Sequence, residues 1–262
     1  MDEVTFRART RAEANLRIWN AFIGRTYPIV RRMPKPAVPK DSDLSIVIIE
    51  PRIHPHLEYV LRNALYFLGP EWGLQVFAGR RNHAFVRELT QGWGQVRIEL
   101  LEVDDLDTRG YNQMKKSLAF WQRVHAEQIL WLEPDCILRR RGIGEFLQFD
   151  YIGAPWSQSA AVSPNCRVGN GGLSMRSKSA MIKIASVANT DPALFVPEDV
   201  FFCVNMSLCN LQTPGSFALA DFTQANRFAV EAVFHPDPLG LHKIWKYLPT
   251  GQVNHLLSTI EY

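Results

Sequence analysis

A regular succession of apolar strands and amphipathic helices between residues 44 and 138 constrains the fold most. The predicted strands cover residues 44–50, 74–79, 96–103 and 129–132. The predicted helices between them cover residues 56–69, 82–92 and 111–123. Buried β-branched runs that alternate with helices of this length are typical of a parallel sheet with right-handed crossovers. The sequence therefore predicts an α/β protein with a mostly parallel, Rossmann-like central sheet flanked by helices.

The second half of the chain has a different pattern of predicted elements. We expect a short strand within 149–156, a strand at 173–177, a helix over 178–187, a helix that begins at Pro197 and a strand near 228–234. No GxGxxG or GxxxxGK motif follows the first strand, so a dinucleotide dehydrogenase or a P-loop ATPase is disfavoured.

Cellular location is predicted from the N-terminal sequence, hydropathy and cysteine spacing. The first residues, MDEVTFRART, lack the apolar stretch of a secretory signal, and no run of about 18 apolar residues occurs. The four cysteines show no CxxC spacing and are interpreted as reduced core thiols. We expect a cytoplasmic protein.

Residues 1–40 differ from the rest in charge. They hold nine lysines and arginines against three acids, a net charge of +6, so the remaining chain carries −3. A basic amphipathic helix is predicted over residues 11–24, and three prolines in residues 33–40 indicate an extended linker. We therefore divide the chain into an N-terminal extension, 1–40, and a main domain, 41–262. The helix could pack on the main domain, or residues 1–32 could contact an anionic membrane at its inner face. Nucleic acid is not an expected partner.

Two carboxylates stand at the end of the fourth predicted strand. Glu133 and Asp135 flank Pro134, which has a fixed φ and ends the strand. Ligands of open α/β sheets bind at the carboxyl ends of the strands, and paired carboxylates suit Mg²⁺ or Mn²⁺. A strand end with solvated acids remains the alternative interpretation.

The order of motifs along residues 45–248 resembles a glycosyltransferase-like family of the GT-A type whose function is unknown. The resemblance is carried by YNQMKKSLAFW, LEPDCIL, YIGAPW, RVGNGGLSMRS, PEDVFF and LGLHKIW in this order. It implies a GT-A fold, a nucleotide-diphosphate sugar donor, a divalent cation (Mn²⁺ or Mg²⁺) and a glycan or glycolipid acceptor. It also implies that the protein acts in polysaccharide biosynthesis.

The resemblance implies roles for individual residues. The donor and its nucleotide would contact Glu50, Arg52, Tyr111, Asn112, Asp135, Asn170, Gly171, Gly172 and Lys243. The metal would be held by Asp135, Glu133 and His242. Trp156 would stack against a sugar in the acceptor or sugar pocket. Asn112 could instead cap a helix, and His242 could instead be structural.

Glu198 and Asp199 are the catalytic candidates, because one carboxylate near the acceptor hydroxyl could take its proton. Successive helical residues lie about 100° apart, so the two acids cannot face the same acceptor. We favour Asp199, which we expect nearer the buried side of the helix, and a direct, inverting displacement. Acids in a first helical turn could also serve only as capping residues.

Two other classes of function remain open at this point. A nucleotidyltransferase or phosphotransferase on a similar sheet would need the same cation. A domain without catalytic activity could bind a nucleotide sugar or a glycan.

Overall fold

The computed structural model describes residues 3–157, 166–188 and 196–262. Within these ranges the strands are β1 (Leu44–Glu50), β2 (Gly73–Gly79), β3 (Arg97–Leu101), β4 (Gln128–Leu132), β5 (Cys136–Leu138), β6 (Tyr151–Gly153), β7 (Leu173–Ser177), β8 (Ala229–Val230) and β9 (Gly240–His242). The helices are α1 (Glu3–Arg32), α2 (Leu57–Leu68), α3 (His83–Leu89), α4 (Thr108–Lys116), α5 (Leu118–Arg123), α6 (Lys178–Val187), α7 (Glu198–Gln212), α8 (Phe222–Phe228), α9 (Ile244–Tyr247) and α10 (Thr250–Ser258), with a 3₁₀ turn at Ile143–Phe146.

The main sheet confirms the predicted fold class. Its strand order is β3-β2-β1-β4-β7-β6. The first four of these strands are parallel, whereas β7 runs antiparallel to both β4 and β6. The structure is therefore an α/β protein with a mostly parallel central sheet.

Both faces of the main sheet are covered, as the unbroken apolar run of β1 requires. Side chains of β1 alternate between two hydrophobic clusters. Ile46 and Ile48 pack in one cluster with residues of α1 and α2, and Val47 and Ile49 pack in the other with residues of α5, α6 and α7.

A second, three-stranded sheet lies beside the first and has the order β5-β9-β8. Glu133, Pro134 and Asp135 form the whole connection between β4 of the main sheet and β5 of the small one. The small sheet pairs Cys136 of β5 with His242 of β9, and Val230 of β8 with Leu241. The turn with the two carboxylates is therefore the joint between the sheets, and it brings the end of the chain beside them.

The N-terminal helix is longer than predicted and packs on the main domain. It continues through Gly24 and Pro28 to Arg32. The Trp19 ring lies 4.7 Å from that of Trp245, and the Asn15 amide donates to the Leu248 carbonyl at 2.9 Å. The chain does not divide at residue 40 into separately packed parts, because apolar side chains of α1 share one cluster with the main sheet. Trp19, Phe22 and Ile23 of the predicted amphipathic helix are thus buried against the main domain, whereas Leu16 is exposed.

No helix in the described ranges is long and apolar enough to cross a bilayer.

Two predicted elements differ in extent. The predicted helix over 111–123 is two helices, because Ser117 adopts an extended conformation and its hydroxyl accepts a hydrogen bond from the Phe120 amide at 3.2 Å. The predicted strand near 228–234 contains only Ala229 and Val230, since β8 pairs with the short β9 alone.

Candidate active site

A cavity of about 380 Å³ opens at the carboxyl ends of β1 and β4. Twelve of the residues predicted from the sequence line it, although they come from six separate stretches of the chain. They are Glu50, Arg52, Tyr111, Asn112, Glu133, Asp135, Gly171, Gly172, Glu198, Asp199, His242 and Lys243. Asn170 and Trp156 are not among the residues that line this cavity.

Glu133 and Asp135 face a lysine. The Lys243 Nζ atom lies 3.0 Å from Asp135 Oδ2 and 3.6 Å from Glu133 Oε2. The Tyr111 hydroxyl donates to Glu133 Oε1 at 2.9 Å. Burial by itself would raise the pKa of Asp135, but His242 and Lys243 hold that pKa below its usual value. Asp135 is thus ionised, and both carboxylates already lie beside a cation.

His242 is buried between two carboxylates. Its Nε2 lies 3.4 Å from Asp135 Oδ1, and its Nδ1 lies 3.2 Å from Glu231 Oε1. Burial favours the neutral ring, but the two carboxylates outweigh it and raise the pKa of His242 to about 9. Neither ring nitrogen has a well-aligned hydrogen bond to a described residue. A side chain at Gly172 would reach within 2.2 Å of Nε2, so only glycine fits there.

The donor atoms of Asp135, Cys136 and His242 lie within 4.8 Å of one another, close enough to hold one ion. Cys136 is an unsuitable ligand, because its thiol donates to the Gly172 carbonyl at 3.1 Å and burial raises its pKa well above the usual value. The carboxylates and the imidazole remain as a mixed oxygen and nitrogen set. This set fits Mn²⁺, or Mg²⁺ with fewer protein ligands.

The acidic pair at the start of α7 is divided between two environments. Glu198 is buried, and it accepts hydrogen bonds from Arg176 at 2.6 and 2.9 Å and pairs with Lys115 at 2.5 Å. Burial acts to raise the pKa of Glu198, but the two cations hold it below its usual value. The prediction that Asp199 lies nearer the buried side is wrong, because Glu198 takes that position.

Asp199 is partly exposed and lines the cavity. Its Oδ2 accepts the amide hydrogen of Asn170 at 3.1 Å. No lysine or arginine in the described ranges forms an ion pair with it, in contrast to Glu198. Burial and the neighbouring Glu198 raise the pKa of Asp199. A carboxylate in this setting can accept a proton more readily than an ordinary aspartate.

The Gly169–Gly172 loop shapes one wall. Asn170 has a positive φ of 82°, and its side-chain oxygen accepts from the amides of Gly172 at 2.8 Å and Leu173 at 3.1 Å. The Asn170 side-chain oxygen therefore stabilises the loop, and Gly171 and Gly172 line the cavity. A side chain at Gly171 would meet Glu198 Oε1 at 2.4 Å.

Three other predicted residues have structural partners. Both oxygens of the buried Glu50 carboxylate accept from Arg52, at 2.8 and 3.0 Å. Asn112 accepts the amide hydrogen of Glu198 at 2.7 Å, so it caps α7 rather than its own helix. Trp156 packs against Gly169 and lines a separate open groove rather than this cavity, so its role toward a sugar stays a prediction.

Sequence reasoning missed three charged residues around the site. Lys115 and Arg176 neutralise Glu198 from α4 and β7, and Glu231 faces His242. An arginine inside the apolar strand LSMRS was a usable signal, because a buried charge needs a partner. Lys115 follows a polar helical pattern and gives no such signal.

No curated protein matches the chain. Among solved structures, glycosyltransferase GlyE of Streptococcus pneumoniae TIGR4 is similar in two forms: the apo form at 11% identity and a TM-score of 0.44, and a second structure at 10% and 0.47. The matches cover 85% and 84% of this chain, which spans 65% of the length of GlyE. Galactosyltransferase LgtC, solved with donor and acceptor sugar analogs, is 13% identical, with a TM-score of 0.48 and coverage of 84% of this chain and 97% of LgtC. All three TM-scores lie below 0.5.

A family model matches residues 95–242, which is more than half of the chain and includes both acidic pairs and His242. The chain belongs to the family described as "Protein of unknown function (DUF5672)".

Proposed function

We propose that this protein is a glycosyltransferase, which moves a sugar from a nucleotide-diphosphate sugar to a hydroxyl group of a glycan or glycolipid. One observation carries the proposal. A single cavity combines a carboxylate and imidazole set suited to a divalent cation with a separate carboxylate, Asp199, that has no cation partner among the described residues. Such a cavity has the groups needed at both ends of a sugar transfer, the leaving diphosphate and the attacking hydroxyl.

Glu133, Asp135 and His242 would hold Mn²⁺ or Mg²⁺. A bound cation would stabilise the negative charge that develops on the departing diphosphate. Lys243 contributes a positive charge at the same end of the cavity, and its side chain is 36% exposed. Once released from Asp135, its ammonium group can bind a phosphate oxygen. Arg52, exposed at the rim and anchored by Glu50, can contact the nucleotide.

Asp199 is the proposed general base. Its raised pKa favours proton acceptance from the acceptor hydroxyl, and its exposure to the cavity allows a hydroxyl to approach. Glu198 is unsuited to this role, because protonation would leave the buried Arg176 without its counter-charge and Lys115 with Glu133 alone, at 3.7 Å. With one base and no covalent intermediate, the transfer inverts the anomeric centre.

The proposal is tested with a panel of nucleotide sugars. Thermal unfolding is measured for each donor with and without Mn²⁺, because a ligand that binds only the folded protein raises its Tm. Release of nucleoside diphosphate is then measured with and without glycan acceptors. We expect Asp135→Asn to abolish the Mn²⁺-dependent stabilisation, and Asp41→Asn, an exposed aspartate with a 77% exposed side chain, serves as the control.

Other outcomes identify the other functions. Equal stabilisation of Asp135→Asn and the parent would contradict the cation site. Turnover of a nucleoside triphosphate with release of pyrophosphate would indicate a nucleotidyltransferase. Donor binding without release of nucleoside diphosphate, whatever the acceptor, would indicate a binding domain.

A further inference from the structure

Glu231 is an acidic residue that the proposed reaction does not use directly. It follows β8, and the parallel register between β8 and β9 sets it opposite His242. Its Oε1 lies 3.2 Å from His242 Nδ1, and its side chain is only 19% exposed. No lysine or arginine in the described ranges lies within ion-pair distance of this carboxylate. A mostly buried carboxylate with an imidazole as its partner needs an explanation.

The orientation of the His242 ring is restricted from several sides. The small sheet places Cys136 beside it in register, and Gly172 packs against Nε2 so closely that no side chain would fit. The ring presents Nδ1 to Glu231 and Nε2 to Asp135. The two nitrogens therefore face different groups, and only Nε2 faces the proposed cation site.

A histidine binds a metal through a nitrogen that carries no proton, while its other nitrogen usually donates to a carboxylate or carbonyl. We propose that Glu231 is a positioning residue: when the divalent cation displaces the proton of His242 Nε2, Glu231 holds the remaining proton on Nδ1, so that the ring binds the ion through Nε2. This inference rests on the cation site in the proposed function and adds the residue that selects the tautomer of its imidazole ligand.

Two substitutions separate this role from a general effect of negative charge. Glu231→Gln removes the charge but keeps an oxygen that accepts the Nδ1 hydrogen. Glu231→Leu removes both. If Glu231 positions the tautomer, Glu231→Leu weakens Mn²⁺ binding by roughly 10–100-fold, the usual effect of losing such a partner, and Glu231→Gln weakens it only a few-fold. Glu102→Gln, whose parent side chain is 78% exposed, is the control for loss of a surface charge.

Mn²⁺ affinity is measured by electron paramagnetic resonance titration of the full chain, and urea unfolding verifies that each variant is folded. In parallel, nitrogen NMR of the Mg²⁺-loaded parent reports which nitrogen of His242 is protonated, without any substitution. We expect Nδ1 to carry the proton.

The outcomes distinguish this inference from the proposed function. Failure of the parent to bind Mn²⁺ overturns the cation site and this inference together. If the parent binds Mn²⁺, an unchanged affinity of Glu231→Leu, an equal loss in the Gln and Leu variants, or a proton on Nε2 overturns the role of Glu231 alone.

Discussion

The two acidic pairs of the cavity are alike in sequence and different in structure. Glu133 and Asp135 both face Lys243, whose side chain is 36% exposed, and both line the cavity, although Glu133 also lies 3.7 Å from the buried Lys115. Glu198 is bound by two cations that are almost fully buried, whereas its neighbour Asp199 is not in an ion pair with a described residue. A carboxylate that faces a movable cation can exchange it for another, but one enclosed by buried cations cannot.

The local backbone produces this difference. Pro134 turns the chain between two sheets, so both acids of the first pair project near the same opening. The second pair occupies successive positions of a helix, about 100° apart, so one side chain enters the core when the other faces the cavity. The two acids on the helix therefore have separate roles, whereas the two acids on the turn can bind the same ion.

The largest expected effect concerns Asp199. Asp199→Asn should lower the rate of sugar transfer by roughly 10²–10⁴-fold, the usual range for a positioned proton acceptor, and leave donor affinity within a few-fold. The acidic limb of the pH profile of the parent should lie above the ordinary range of an aspartate, because burial and Glu198 raise the pKa of Asp199. Initial rates across pH measure both effects. Transfer by Asp199→Asn at the parental rate would show that Asp199 is not the base.

Glu198 should instead govern stability. Glu198→Gln leaves the buried Arg176 without a counter-charge and Lys115 with Glu133 alone, and breaking a buried ion pair in this way costs about 3–5 kcal/mol. Urea unfolding at neutral pH measures this loss, with Asp199→Asn as the matched control one residue away. Equal unfolding midpoints for the two variants would show that Glu198 does not stabilise the fold more than Asp199 does.

Lys243 tests whether the first pair exchanges its cation. Lys243→Met should strengthen Mn²⁺ binding by roughly three- to tenfold, or about 1 kcal/mol, because the ion no longer competes with an ammonium group 3.0 Å from Asp135. Sugar transfer should nevertheless fall, since the leaving diphosphate loses a positive partner. Lys246→Met, three residues on and stacked on Tyr247, is the control. A weaker affinity in Lys243→Met would mean that the lysine supports the ion.

The smallest expected effect is the pH-dependent contribution of Asp199 to the stability of the folded protein. A carboxyl whose pKa is raised by folding stabilises the folded protein below its unfolded pKa, and this contribution is lost as pH rises through the folded pKa. Above its folded pKa the ionised Asp199 therefore opposes folding. Asp199→Asn should raise Tm by roughly 1–2 °C there and show no gain near pH 3. A gain that did not change with pH would contradict this origin.

The sequence predicted the sheet well, because the strands of an enclosed parallel sheet are unbroken apolar runs. β1 and β4 lie where the apolar residues are, and their carboxyl ends lie where the acids begin. The extent of α1 could not be predicted, since the surface that holds it is formed by Trp245 and Leu248 at the other end of the chain.

The sequence indicated which motifs contribute to the site, but it did not indicate the role of each residue. Glycines, acids and a histidine at the ends of elements are visible in the sequence. Which acid of a pair is buried depends on Arg176 and Lys115, from other elements, and sequence spacing does not reveal such contacts. The position of Trp156 was not predictable either, because its packing against Gly169 beside a separate groove depends on a contact between two loops.

The contact between α1 and the segment after β9 has a consequence for how the protein reaches its native state. Asn15 and Leu248 are 233 residues apart, and their contact closes a loop of nearly the entire chain. Such contacts form late, because the entropy of closing a long loop must be lost before they can form. Until then the tryptophan-bearing side of α1 is uncovered, and uncovered apolar surface in a folding intermediate promotes association between chains. We therefore expect the concentration of refolding chains, more than the final stability of the fold, to limit how much native protein is recovered.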